Sequence, residues 1–239
     1  MPISSVGTDY SKLDETNKNS LLPGSALLTD TLDGSDGGSS TLNSKGITHI
    51  IHAAPWPRDL FKSDEDFINC VVKSVQNSII LADREKFEKL AIPLVGGGIY
   101  LGSCHPEELA EGIMRGAVNQ LAECQNLQQI VFLDWHDNKT PRKNRQVFLN
   151  AFSKLEDKSW FGKHRSGSGI ELAKNPTKIV ICEWGDIRDK RIHGASVIAN
   201  AANTQVQFGG GISGAIAEQV GDKDKINQKA KELIAKFNV

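Results

Sequence analysis

Val197-Ile198-Ala199-Asn200-Ala201-Ala202-Asn203, followed shortly by Phe208-Gly209-Gly210-Gly211-Ile212-Ser213-Gly214-Ala215-Ile216, decides how this chain is read. Val197 and Ile198 have the character of a buried strand end. Two asparagines follow, where a strand would deliver polar side chains into a cleft. Three consecutive glycines then let the backbone approach a ligand closely. Beyond Gly214 the composition turns helical. A glycine loop leading into a helix presents N–H groups and a positive dipole end, which suits a phosphate. The spacing Gly209, Gly211, Gly214 also fits G-x-G-x-x-G. A dinucleotide site needs the loop directly after its strand and an acidic residue at the end of a second strand about 20 residues on. Neither condition is met, because residues 204–208 intervene and the remaining chain, up to Val239, has a helical pattern. A mobile loop without a ligand is the plain alternative.

Upstream of this stretch, strand-like and helix-like segments alternate. Ile47 to Ala54 reads as a strand stopped by Pro55. Ser63 with Asp66 forms a capping pattern, and Phe67, Val71, Val75, Ile79 and Ala82 recur behind it at helical spacing. Leu90 to Val95 reads as a buried strand whose pairing should end or bulge at Pro93, and it runs into Gly96-Gly97-Gly98-Ile99-Tyr100. Pro106 opens a helix with Glu107 and Glu108 in its first turn and Leu109, Ile113, Ala117 and Leu121 on its inner face. A short strand at Ile130–Leu133 and a helix through Val147, Phe148, Ala151, Phe152 and Leu155 come next. Residues 156–176 show little pattern and read as a joint. Lys178 to Cys182 is a strand leading to Trp184-Gly185-Asp186-Ile187, and the last helix carries Ile226, Ala230, Leu233, Ile234 and Phe237 on one face. Alternating strands and helices predict an α/β layered fold. Residues 1–20 read as a flexible tail, residues 33–40 as a flexible loop, and residues 21–239 as one domain. Two separate small domains are the rival organisation.

Composition narrows the function classes. In 239 residues the formal net charge is −1, with both signs spread along the chain. That argues against a nucleic-acid footprint or a polybasic membrane patch. Cys70, Cys104, Cys124 and Cys182 show no C-x-x-C spacing, so neither a zinc site nor a disulfide framework is expected. No apolar run is long enough for a spanning helix, and residues 1–20 lack an apolar signal core. A cytosolic monomer without metal or cofactor is the expectation; an effector secreted by a non-Sec route would look the same.

The motifs then become specific. Asn200-Ala-Ala-Asn203 with Gly-Gly-Gly-x-x-Gly-Ala-Ile, preceded by Gly185-Asp186-Ile187, resembles the signature of the macrodomain, an ADP-ribose-binding α/β module. In that family these elements open the domain; here they come last. Gly24-Ser25-Ala26 to Thr29 resembles the family's Gly-x-Ala…Thr strand. Ile50-Ile51-His52-Ala53-Ala54-Pro55 resembles its Ile-Ile-His-x-x-x-Pro strand, one residue shorter. Ile92-Pro93-Leu94…Gly97-Gly98-Ile99-Tyr100 resembles its second phosphate loop. Read from Thr177 to Val239 and then from Leu21 to Leu155, the elements fall in the family's order. The resemblance therefore implies a circularly permuted macrodomain, three-layered α/β/α with a mixed, mostly parallel sheet, its family ends fused through residues 156–176. Such a joint spans up to roughly 65 Å when extended, and permutation is tolerated where ends lie close together.

The resemblance also implies a ligand, ADP-ribose, free or on a modified protein. Asp186 would accept from the adenine amino group, with the Ile187 N–H nearby. Gly209, Gly210, Gly211, Ile212, Ser213 and Gly214 on one side, and Val95, Gly96, Gly97, Gly98, Ile99 and Tyr100 on the other, would wrap the diphosphate and distal ribose. Asn203 would hold the distal ribose and serve as the catalytic residue, orienting water or sugar; Asn200 would tie the loop together. An amide cannot be a general base, so another group, such as a substrate phosphate oxygen, must take the proton. One large hydrolytic class carries Asp where this chain has Ser213, and viral-type members carry His where it has Phe208. De-ADP-ribosylation, reading of ADP-ribose without turnover, and a nucleotide-phosphate enzyme all remain open. His52 reads as a core histidine. His105 reads as a cap of the following helix, Trp184 as an adenine flank or core filler, and one of Asp30, Asp33 and Asp36 as a possible contact to the distal ribose.

Overall fold

In the strand His49–Ala54 (β2), Ile51 and Ala53 enter one apolar cluster and Ile50 enters another. Phe132 and Val131 of Gln129–Asp134 (β4) divide in the same way, as do Val197 and Ile198 of Val197–Ala201 (β8). Successive strand side chains point to opposite faces, so strands that are apolar throughout must be covered on both sides. The computed structural model, which describes residues 20–31, 40–134, 147–156, 161–164, 169–172 and 175–237, has that architecture. Asp64–Arg84 (α2), Pro106–Glu123 (α3) and Val147–Glu156 (α4) cover one face. Thr41–Ser44 (α1), Lys190–His193 (α5), Gly211–Ala217 (α6) and Lys223–Phe237 (α7) cover the other.

Ser25–Asp30 (β1), Lys89–Pro93 (β3), Phe161–His164 (β5), Gly169–Leu172 (β6) and Asn175–Trp184 (β7) complete, among the described residues, an eight-stranded sheet in the order β1-β2-β8-β3-β4-β7-β6-β5. The central strands β2, β8, β3, β4 and β7 are parallel, while β1, β6 and β5 pair antiparallel at the two margins. The chain is thus a three-layer α/β protein with a mixed sheet.

Local sequence explains the main elements. Ser63 Oγ accepts the Asp66 N–H at 3.1 Å and starts α2, whose Phe67, Val71, Val75, Ile79 and Ala82 are buried. Each such large side chain contributes about 1.5–3 kcal/mol of burial. Pro106 stands at the start of α3, with its acidic first turn, and β3 ends at Pro93, where the next ladder N–H would be missing. All five apolar residues expected on the inner face of α4 are buried.

Two expectations need correction. Residues 156–176 are not a patternless joint: β5 and β6 extend the sheet antiparallel to β7, and β7 itself begins at Asn175. Asp30 does not belong to the glycine loops' end of the sheet. It ends β1 opposite His49, at the start of β2, and its carboxylate pairs with Lys229. Asp33, Asp36, residues 33–39 of the expected loop and residues 1–19 of the expected tail lie outside the described residues.

Candidate functional site

Parallel strands deliver their following loops to one edge of the sheet, and that edge is where α/β folds bind ligands. The segments after β2, β8, β3 and β7 all emerge there. Asn203 and Gly209–Gly214 follow β8, and Val95–Tyr100 follow β3, its immediate parallel neighbour. Asp186 and Ile187 follow β7, three places from β8 in the sheet. The structure therefore brings Asp186, Ile187, Asn203, Gly209–Gly214 and Val95–Tyr100 to the same edge, with Asn200 near the end of β8, whereas Asp30 lies at the opposite edge.

The β8 loop is built on a buried polar chain. Asn200 Nδ2 lies 3.2 Å from His52 Nδ1 and 3.3 Å from Ser213 Oγ, and Ser213 Oγ accepts the Gly209 N–H at 3.4 Å. With Nδ2 donating, His52 Nδ1 accepts and Nε2–H donates to Thr29 Oγ1 at 2.9 Å. Burial pushes the His52 pKa down to about 3, so the ring is neutral, as this arrangement requires. Phe208 packs edge-on against it at 5.7 Å. Asn200 Oδ1 is buried without a hydrogen-bond partner among the described residues. Exchanging the amide ends would leave the NH2 unpaired instead, so one polar group is orphaned in either orientation.

Between Asn203 and Gly209 the backbone is strained. Val206 adopts φ 54°, an outlier for a β-branched residue. Its side chain is held in a cluster with Leu27, Ala230 and Ile234, and its N–H reaches Asn203 O at 3.0 Å. Asn203 Oδ1 accepts the Gln207 N–H at 3.0 Å, closing the turn from the side-chain end. Gly209, Gly210 and Gly211 come next, all exposed, and a Cβ on any of them would meet no atom within 4 Å. Gly210 provides no side-chain cap to α6, so the first N–H groups of that helix face the edge uncapped.

The β3 loop is more tightly packed. Val95 is fully buried, Gly97 N–H bonds Leu94 O at 3.0 Å, and Leu101 N–H bonds Gly98 O at 3.1 Å. Ile99 stands 94% exposed at the tip. Tyr100 is half-buried, and its carbonyl accepts the Arg58 N–H at 2.9 Å, tying this loop to the one after β2. His105 is the N-cap residue of α3 but makes no side-chain capping bond, contrary to expectation.

At the β7 end, Gly185 has φ 149°, and a Cβ there would lie 2.3 Å from Ile192 Cδ1, so only glycine fits the turn. Ile187 is buried. Sequence reasoning missed two residues that shape this end. His193 is buried, its Nδ1 accepts the Ala195 N–H at 3.1 Å, and its Nε2–H donates to Ile187 O at 3.0 Å; burial lowers its pKa. Arg188 grips the Asp186 carboxylate through Nε and Nη2 at 2.8–3.0 Å. Burial opposes the Asp186 charge, but the Arg188 side chain and N–H outweigh it and hold the carboxyl below its usual range. Asp134, at the end of β4, was also missed. Burial pushes its carboxyl up to about 6, even though it accepts the Phe148 N–H in the first turn of α4 at 3.4 Å. Its position after a short apolar strand was the available signal.

No protein-family model and no curated protein matches this chain. What fold and edge define is a class: a three-layer α/β protein with two glycine segments at the carboxyl ends of neighbouring parallel strands. No helix among the described residues is long and apolar enough to cross a membrane.

Proposed function

We propose that this edge is an ADP-ribose site, that the chain is a circularly permuted macrodomain, and that it releases ADP-ribose from mono-ADP-ribosylated protein or from O-acetyl-ADP-ribose. The observation that carries the reading is the adjacency of β8 and β3. Their loops share the motif resemblance, and parallel neighbours only about 5 Å apart present both to one diphosphate. Exposed Gly209–Gly211 ahead of an uncapped helix support the same ligand. Asn203, half-exposed at the mouth of the β8 turn, is the residue that would orient the water or the distal ribose.

A second reading, an ADP-ribose reader without turnover, is favoured by two features. Asn203 Oδ1 is engaged by Gln207 N–H, and Ser213 lies buried under Asn200. Calorimetry with ADP-ribose tests the shared premise: binding at micromolar ligand is expected, and none at high micromolar ends both readings. Incubation with a mono-ADP-ribosylated protein separates them. Release that disappears in Asn203→Ala, with binding largely kept, establishes the hydrolase; no release above buffer establishes the reader.

A further inference from the structure

Both oxygens of the Asp186 carboxylate are engaged by Arg188. Its Oδ1 accepts from the Arg188 backbone N–H and from Nε, both at 2.9 Å. Its Oδ2 accepts from Nε at 3.0 Å and from Nη2 at 2.8 Å. A carboxylate offers about four lone-pair sites; three Arg188 N–H groups, with Nε–H shared between the two oxygens, engage both of them. The same guanidinium is anchored on the neighbouring element: Nη1 donates to Ala215 O at 3.1 Å and to Glu218 Oε2 at 3.3 Å. Arg188 is only 18% exposed, against 36% for Asp186. The loop after β7 and the helix after β8 belong to strands three places apart, roughly 14 Å, so no ladder fixes one against the other. Arg188 makes that connection.

We propose that Arg188 sets the base selectivity of the crevice: by engaging both oxygens of the Asp186 carboxylate it competes for the acceptor that an exocyclic amine needs, so that 6-amino and 6-oxo purine nucleotides bind alike. This rests on the ADP-ribose reading of the same edge. A base amine reaching Asp186 must displace a bidentate, charge-assisted pair that is already intramolecular. Arg188 cannot swing away without also giving up Ala215 O and Glu218. A guanidinium is donor-only, and the Arg188 donors are committed to Asp186, Ala215 O and Glu218, so the pair favours neither a 6-amino nor a 6-oxo group. Arg188 acts through Asp186 and is a positioning residue for the base.

The test is calorimetric titration of the full chain with ADP-ribose and with its hypoxanthine counterpart, inosine diphosphate ribose, repeated on Arg188→Gln, Arg188→Lys and Arg188→Ala. For the unaltered protein the two Kd values should agree within about threefold. Freeing the carboxylate in Arg188→Gln or Arg188→Ala should raise the preference for ADP-ribose roughly tenfold, the size of one hydrogen bond to a charged acceptor. Arg188→Lys keeps the charge but cannot fill both oxygens, and should fall between. A purely architectural role would weaken both nucleotides equally and leave their ratio unmoved. A tenfold preference for ADP-ribose already present in the unaltered protein, or an unchanged ratio in Arg188→Gln, overturns the selectivity assignment while leaving the ADP-ribose site standing. Binding of neither nucleotide to the unaltered protein removes the site and the assignment together. Should Arg188→Ala fail to fold, the ratio in Arg188→Gln and Arg188→Lys decides.

Discussion

Gly96–Gly98 and Gly209–Gly211 share a composition and an edge of the sheet, yet glycine answers different demands in the two. At Gly96, φ is 76° and an added Cβ would lie 3.0 Å from Val71 Cγ2; at Gly97 it would lie 2.4 Å from Leu94 Cδ2. There the fold itself excludes a side chain. At Gly209, Gly210 and Gly211 a Cβ would meet nothing within 4 Å. Gly211, at φ 62°, is held to glycine by its own backbone; at Gly209 and Gly210 glycine costs conformational entropy without any gain in packing, so their value lies in what approaches the backbone from outside. Identical letters thus mark positions closed to a side chain, Gly96 and Gly97 after β3, and positions left open, Gly98 in the same loop and Gly209 and Gly210 after β8. The boundary of the β8 loop is Gly214, where a Cβ would sit 2.7 Å from Gly209 O.

That contrast can be broken by substitution. The largest effect is expected from Gly214→Ala, which forces the Gly209 carbonyl to move and should cost about 2–3 kcal/mol, read as a lower midpoint in urea. An unchanged midpoint would mean that the loop is loose rather than set by this contact. Gly96→Ala should cost about 1–2 kcal/mol, from its positive φ and the crowding at Val71. Asp134, on the same edge, responds to charge rather than shape. Its folded-state pKa, pushed up to about 6, exceeds the unfolded value. Ionisation therefore destabilises the fold above about pH 6, and the penalty fades as pH falls towards about 4. Asp134→Asn should accordingly be more stable than the parent by about 1–2 kcal/mol at pH 8 and equal to it near pH 4; a benefit that grows on acidification would contradict the cause given. The smallest change in stability, within about 0.5 kcal/mol, belongs to Gly210→Ala, whose φ of −86° suits alanine. The same variant should bind ADP-ribose roughly tenfold more weakly in calorimetry. A Gly210→Ala protein that loses as much stability as Gly96→Ala would erase the distinction between the loops.

Most of the scaffold is legible in short-range pattern. Ser63 capping α2, Pro106 opening α3 and Pro93 closing β3 are local effects of hydroxyl, ring and missing N–H, and the apolar faces of α2, α3 and α4 follow from period alone. The β5–β6 pair was not legible, because a run such as Phe161–His164 takes its structure only from the β6 edge beside it. Asp30 was misplaced because its letter says nothing about direction: β1 runs against β2, and that carries it to the far edge, where Lys229 holds it. Arg188 stands two residues from Asp186, but its role was invisible because the groups that anchor it across the edge, Ala215 and Glu218, lie some thirty residues away in the chain.

By itself the sequence determined the alternation of strands and helices, the boundaries set by caps and prolines, and the two glycine motifs, since each depends on neighbours within a turn or two of chain. Only the tertiary structure decided which loops share an edge, which histidine is buried neutral and which carboxylate is already engaged. Those properties arise from strand direction, burial and contacts between distant residues, and the order of letters does not contain them until the sheet has formed.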